Sequence, residues 1–209
     1  MWQGRRSLIL VLSGPSGVGK TETARRLLQR RKGQLTRSVS ATTRPPRPGE
    51  VEGVDYYFLE RETFERWIQE GRLLEWAEYG GYLYGTPREE VERARAQGLD
   101  LLLTIEVQGG AQIRARFPEA VLIFLLPPDW RTLEARLRRR RAEPPEILQQ
   151  RLDRAREEVR AAAMYDYCVV NEEGNLELTV ATVEAILVAE RWRLTVREAN
   201  DFRAGKVLS

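Results

Sequence analysis

The chain has 209 residues, 42% hydrophobic and 31% charged, with a formal net charge of +3, one cysteine and no histidine. That length suits one domain with small insertions. The composition excludes imidazole catalysis, zinc sites built from His or Cys pairs and an internal disulfide, and the lone thiol suits a reducing cytoplasm. The longest apolar runs, Leu8–Leu12 and Val121–Pro128, fall far short of the ~20 residues of a membrane-spanning helix, so no membrane partner is expected. The small net charge gives little basis for a nucleic-acid partner. Chemistry here has to run on Lys, Arg, carboxylates, hydroxyls and a bound metal, as phosphoryl transfer does.

The first unit is the most specific. Leu8–Leu12 reads as a short buried strand, and Gly14-Pro15-Ser16-Gly17-Val18-Gly19-Lys20-Thr21 follows it directly. This is the G-x-x-x-x-G-K-[ST] phosphate loop, whose glycines let backbone N–H groups wrap phosphate oxygens. Lys20 is placed to reach the β- and γ-phosphates of a nucleotide and the Thr21 hydroxyl to ligate Mg²⁺. Only three of the 34 basic residues are lysine, at 20, 32 and 206, so a lysine at this position carries weight. A helix opens at Thr21, with Ala24, Leu27 and Leu28 on one face.

Further along, Ser38–Ser40 and Tyr56–Leu59 read as strands and Thr63–Glu70 as a helix. Leu101–Ile105 is a buried-strand run followed by helical Ala111–Phe117. Val121–Leu126 is the next strand, ended by Pro127-Pro128, and charged helices span Trp130–Arg140 and Glu146–Ala163. A strand at Tyr167–Val170, with Cys168 as an inert core residue, precedes a closing helix at Leu176–Leu194. Strand–helix alternation behind a phosphate loop argues for an α/β fold of the P-loop NTPase kind, a parallel sheet with helices on both faces.

The proline-rich loop Thr42–Asp55 carries Arg44 and Arg47 three apart on a stiff segment, a pattern suited to a guanidinium fork on a second phosphate. Read alone it also fits a solvated basic loop. Ser40-Ala41-Thr42-Thr43-Arg44-Pro45-Pro46-Arg47-Pro48-Gly49-Glu50, continuing to Gly53, Asp55 and Tyr56, closely resembles the guanylate kinase signature S-x-T-T-R-x-P-R-x-G-E-x-x-G-x-D-Y. So do Leu74–Ala77 with Tyr82–Thr86, Ile105-Glu106-Val107-Gln108-Gly109, and Tyr165–Asn171. The resemblance runs in order from about residue 4 to 189.

What the resemblance implies is ATP-dependent phosphorylation of GMP to GDP. It implies a core at about 4–38, 90–129 and 152–189, a GMP-binding insertion at 39–89 and a lid at 130–151, with 190–209 as a tail. By position, Ser40, Arg44, Arg47, Tyr56 and Tyr84 would hold the GMP phosphate. Glu75 and Thr86 would read the guanine, with Trp76 as packing beside them, and Glu106 would lie near the acceptor's base or ribose. Arg136 and Arg140 match the lid arginines, Arg151 matches one just beyond, and Asn171 would lie near the adenine of ATP. Two positions depart from the family pattern. Thr104 replaces an acid that orders water around Mg²⁺, and Arg141 stands where the lid has glycine. Two alternatives remain, a guanylate-kinase-like binding module and a related kinase with another phosphorylated acceptor. The intact Gly19-Lys20-Thr21 argues against the first and the Glu75/Thr86 pair against the second. Oligomeric state is not legible.

Overall fold

A computed structural model describes residues 7–140 and 145–193, with side chains described except at 139, 140 and 145. In chain order, β1 (Ile9–Ser13) leads through the glycine loop into α1 (Lys20–Arg30), and β2 (Leu35–Arg37) and β3 (Ser40–Thr42) follow. Next come β4 (Tyr56–Phe58), α2 (Arg61–Gln69), the hairpin β5 (Leu73–Tyr79) and β6 (Tyr82–Pro87), and α3 (Glu89–Ala96). The chain continues with β7 (Asp100–Thr104), α4 (Val107–Arg116), β8 (Val121–Leu126), α5 (Trp130–Arg140) and α6 (Pro145–Arg160). A 3₁₀ turn (Ala161–Met164), β9 (Tyr167–Val170) and α7 (Leu176–Glu190) complete it.

The main sheet has the order β2-β7-β1-β8-β9, and every pairing is parallel. Its central strands are apolar apart from Ser13, Asp100 and Thr104 at their ends, because both faces are covered. Alternate residues go to opposite sides. Leu10, Leu12, Leu102, Ile123 and Leu125 pack with Leu27 of α1 and Val180, Val183 and Leu187 of α7. Ile9, Val11, Leu101, Leu103, Leu122 and Phe124 pack with Val91 of α3 and Ile113 of α4. The phosphate loop thus leaves the C-terminal end of the middle strand, where open α/β sheets place their ligands.

A second, mixed sheet of order β4-β3-β6-β5 has its own small core of Ala41, Phe64, Leu73 and Leu83. Its β5–β6 hairpin turns at Gly80-Gly81, both at positive φ (60° and 80°), as a two-residue hairpin of matching twist requires. A further apolar cluster, Leu133, Leu137, Leu152 and Ala155, joins α5 to α6.

Several sequence expectations need correction. The strand expected at Ser38–Ser40 is instead a junction between β2 and β3. Ser38 N–H donates to Leu102 O (3.0 Å) and Val39 N–H to Glu90 Oε2 (2.7 Å) as the chain leaves one sheet for the other. β2, β5, β6 and α3 are elements that the sequence pattern does not announce. Cys168 is exposed rather than buried, because β9 is an edge strand of the main sheet. Trp76 is 40% exposed rather than packed. The loop 42–55 is organised by its own acids: Glu50 accepts from the Arg47 N–H, Asp55 from Val51 and Glu52 from Phe58.

Candidate active site

The loop's shape follows from its glycines. Gly14 (φ +146°) and Gly19 (φ +105°) hold conformations closed to other residues. A Cβ at Gly14 would run into the Leu125 carbonyl oxygen, and one at Gly19 into the Asn171 amide. Val18 is fully buried and anchors the loop inward. Lys20 folds back so that Nζ donates to Gly14 O, and it lies 3.7 Å from Glu106 Oε1. Thr21, at the first turn of α1, is exposed.

Asn171, which the resemblance places near the adenine, and Arg136 and Arg151, which it matches to arginines of the lid and just beyond, converge here. Asn171 Nδ2 donates to Val18 O (2.7 Å), and Asn171 Oδ1 accepts from Thr179 (2.9 Å). Arg136 of α5 donates to Asn171 O (2.9 Å) and Val18 O (3.5 Å). Arg151 of α6 donates to Ser16 Oγ (2.9 Å). The Arg140 side chain, Arg141 and residues 194–209 lie outside what the structure describes.

The small sheet supplies the other wall. Arg44 is buried, its Nη2 donates to both carboxylate oxygens of Glu50 (2.8 and 2.9 Å), and its guanidinium lies over the Tyr56 ring at 5.4 Å. Burial opposes the Arg44 charge, but Glu50 and then Tyr84 outweigh it and its pKa is raised. The Tyr56 and Tyr84 rings meet edge to face at 6.1 Å, and Tyr56 pairs in register with Ser40. Arg47 is exposed. Arg44, Ser40, Tyr56 and Tyr84 thus form one group, with Arg47 at its solvent edge.

Glu75 is only 4% exposed and Thr86 fully buried. Thr86 Oγ1 donates to Glu75 Oε1 at 2.6 Å. Burial pushes the Glu75 acid up to about 7, the Thr86 hydrogen bonds oppose this, and the Glu106 charge adds to it. A buried carboxylate with so few donors around it is a costly arrangement unless a ligand supplies them. Glu106 stands at the start of α4, between Lys20 and Glu75, and its Oε2 is buried without a hydrogen-bond partner.

Sequence reasoning missed two charged groups. Glu158 of α6, its side chain 10% exposed, accepts from Arg154 Nε (3.2 Å). Its acid is raised by burial and by Glu106, against the pull of Lys20 and Arg154. Burial and then Tyr84 push the Tyr56 hydroxyl above its ordinary value, and Arg44 and then Arg37, at the end of β2, oppose the rise. Nothing in either local pattern separates these from solvated charges.

The family model described as guanylate kinase matches residues 6–190. The chain is 53% identical over 191 residues to a guanylate kinase of Thermus thermophilus, covering 91% of this chain and 84% of that one. It is 46% identical over 189 residues to the guanylate kinase of Streptococcus agalactiae serotype III, covering 90% of each. The crystal structure of guanylate kinase from Anaplasma phagocytophilum matches with a TM-score of 0.74 at 36% identity, covering 96% of each chain.

Proposed function

The chain belongs to the guanylate kinase family, and from that premise we propose how its residues carry the γ-phosphoryl group of ATP to GMP, giving ADP and GDP. It is a nucleoside monophosphate kinase. The observation that carries the assignment of roles is the pairing of two sites around Lys20 and Glu106. One is an intact phosphate loop, and the other is a buried Glu75–Thr86 pair.

ATP lies with its phosphates on Gly14–Thr21 and its base near Asn171. Lys20, Arg136 and Arg151, with Arg140 from the end of α5, neutralise the donor phosphates and the charge that develops as the phosphoryl group leaves. GMP lies against the small sheet, its phosphate on Ser40, Arg44, Arg47, Tyr56 and Tyr84. Its guanine presents N1–H and the 2-amino group to Glu75, with Thr86 fixing the carboxylate and Glu106 close to the base or ribose. No general base is required, because the attacking oxygen of GMP is already anionic.

Among the described residues no group of three acids or cysteines can hold a metal by itself. Mg²⁺ takes one or two protein ligands and draws the rest from phosphates and water, so a single hydroxyl at the end of the phosphate loop suffices on the protein side. Thr21 would be its protein ligand, and Glu106, with its unpartnered Oε2, would take over part of the water-ordering task left by Thr104. When bound, Mg²⁺ supplies charge neutralisation at the β- and γ-phosphates.

This reading divides the chain into a core (about 4–38, 90–129 and 152–189), a GMP-binding insertion (39–89), a lid (130–151) and a tail (190–209). No described helix is long and apolar enough to cross a membrane, and the exposed free thiol of Cys168 fits work in the cytoplasm. The roles are tested by kcat/KM for GMP and AMP in wild type and Glu75→Gln. Loss of the GMP preference with little change in the KM for ATP supports them, and an unchanged GMP/AMP ratio removes Glu75 from its role.

A further inference from the structure

β5 is an edge strand of the small sheet, yet its outer edge is not bare. One face of α4 covers it. Gln112 Nε2 donates to Trp76 O (2.7 Å), and Gln112 Oε1 accepts from Trp76 N–H (3.2 Å), so one side chain pairs with both backbone groups as a neighbouring strand would. Arg116 Nη1 donates to Leu73 O (2.7 Å). Gly109 completes the stripe at helical spacing. A Cβ built on Gly109 would collide with Glu75 Oε2 and stand 3.0 Å from Glu75 Cδ, with Ile105 Cδ1 at 3.2 Å. The carboxylate of Glu75 therefore lies directly on the helix, in space that only glycine leaves open.

The strand is shaped for this contact. The β5–β6 register slips between Leu73 and Glu75, and such a bulge re-aims the side chains beside it. Leu73 goes to the small-sheet core and Leu74 to the main core. Glu75 is then buried against α4, with Thr86 on its other side.

We propose that Gly109 is a specificity-determining positioning residue for the phosphoryl-transfer reaction, seating the Glu75 carboxylate for guanine, with Gln112 clamping β5 at the distance this seat requires. The inference rests on the reading of Glu75 as the guanine acceptor. Side-chain mobility does not relieve a substitution here. Glu75 is enclosed, and the oxygen a methyl group would displace is half of the two-point acceptor.

The test is a double-mutant cycle in the full chain, with Gly109→Ala, Glu75→Ala and the pair. It is read as KM and kcat for GMP, kcat/KM for AMP, KM for ATP and thermal midpoint. Gly109→Ala should lower kcat/KM for GMP by ~10- to 100-fold, the range for a misplaced contact group. The loss should fall mainly in KM for GMP, with AMP turnover and KM for ATP within about twofold. Its thermal effect should change sign. Gly109→Ala lowers the midpoint in wild type but raises it in the Glu75→Ala background, where the clash is gone and alanine's helix preference remains.

If Glu75→Ala abolishes the GMP/AMP preference while Gly109→Ala leaves it intact, the inference is overturned and the guanine reading stands. If Glu75→Ala leaves the preference unchanged, both fall. Destabilisation by Gly109→Ala in both backgrounds would place the clash at Ile105 and overturn the proposal. Should Gly109→Ala not fold, Gln112→Ala decides: KM for GMP should rise several-fold at constant kcat and constant KM for ATP, and an unmoved KM overturns it.

Discussion

Replacing Glu75 by glutamine should stabilise the nucleotide-free protein while removing its selectivity for GMP. Glu75 is 4% exposed, and burial raises its acid from 4.5 to about 7. The groups acting on it are the Thr86 donor on β6 and the Glu106 charge at the start of α4, the first opposing the rise and the second adding to it. The folded chain thus holds the Glu75 proton more tightly than the unfolded chain does. Below pH 4.5 both states are protonated and nothing is lost. As pH rises from 4.5 towards 7, the unfolded state ionises first, and wild type loses stability relative to a neutral side chain. At 1.36 kcal/mol per pH unit the full difference is about 3 kcal/mol, or roughly 10 °C in midpoint for a chain of this size. Glutamine is neutral and isosteric, and its Oε1 still accepts from Thr86. Denaturant unfolding at pH 8 should show Glu75→Gln more stable by up to about 3 kcal/mol, with the curves converging near pH 4.5. GMP affinity in wild type should weaken as pH falls below about 7, because a protonated Glu75 no longer accepts two N–H groups. A wild type at least as stable as the variant at pH 8 would refute the claim that this carboxylate is held against its solvation. Stability gained with function lost is the signature of a group kept for its ligand.

Lys20→Ala should retain the fold, since its bonds are to Gly14 O and Glu106. Transfer should fall by at least ~100-fold, the scale of ~3 kcal/mol of transition-state charge stabilisation, measured by coupled ADP release beside a circular dichroism spectrum. Chelation of Mg²⁺ should abolish turnover reversibly, and turnover persisting in excess EDTA would remove the metal role of Thr21. Arginines from the small sheet and from α5 and α6 have to meet around two polyanions and exclude water. Small-angle scattering should therefore show a smaller radius of gyration with GMP plus a non-hydrolysable ATP analogue, and an unchanged radius counts against closure.

The phosphate loop is readable because its geometry is local: the glycines, lysine and threonine are fixed by the turn they form. The buried strands of the main sheet are readable as apolar runs because helices cover both of its faces. What escapes depends on distant partners. The break at Ser38–Val39 is set by Leu102 and Glu90, far along the chain. β5 is hidden because Glu75, a charge in a buried position, spoils its pattern, and that violation marks the functional residue. Cys168 lies in an apolar pattern, but which strand becomes an edge is decided by topology. Arg44 is legible as a phosphate fork, while the bonds from its Nη2 to Glu50 need the folded loop. Glu158 and Arg154 read as a solvated helix face until α6 brings Glu158 beside Glu106 and Lys20.

The most direct measurement supplies ATP and Mg²⁺ with GMP, AMP, CMP or UMP in turn and follows ADP formation by the wild-type chain. GMP should be turned over with kcat/KM at least ~10⁴-fold above AMP, the discrimination expected when the wrong base leaves a buried polar group unpaired. Comparable turnover of AMP and GMP, or none with any of the four, would contradict a site in which Glu75 selects guanine and Gly14–Thr21 delivers the phosphoryl group to it.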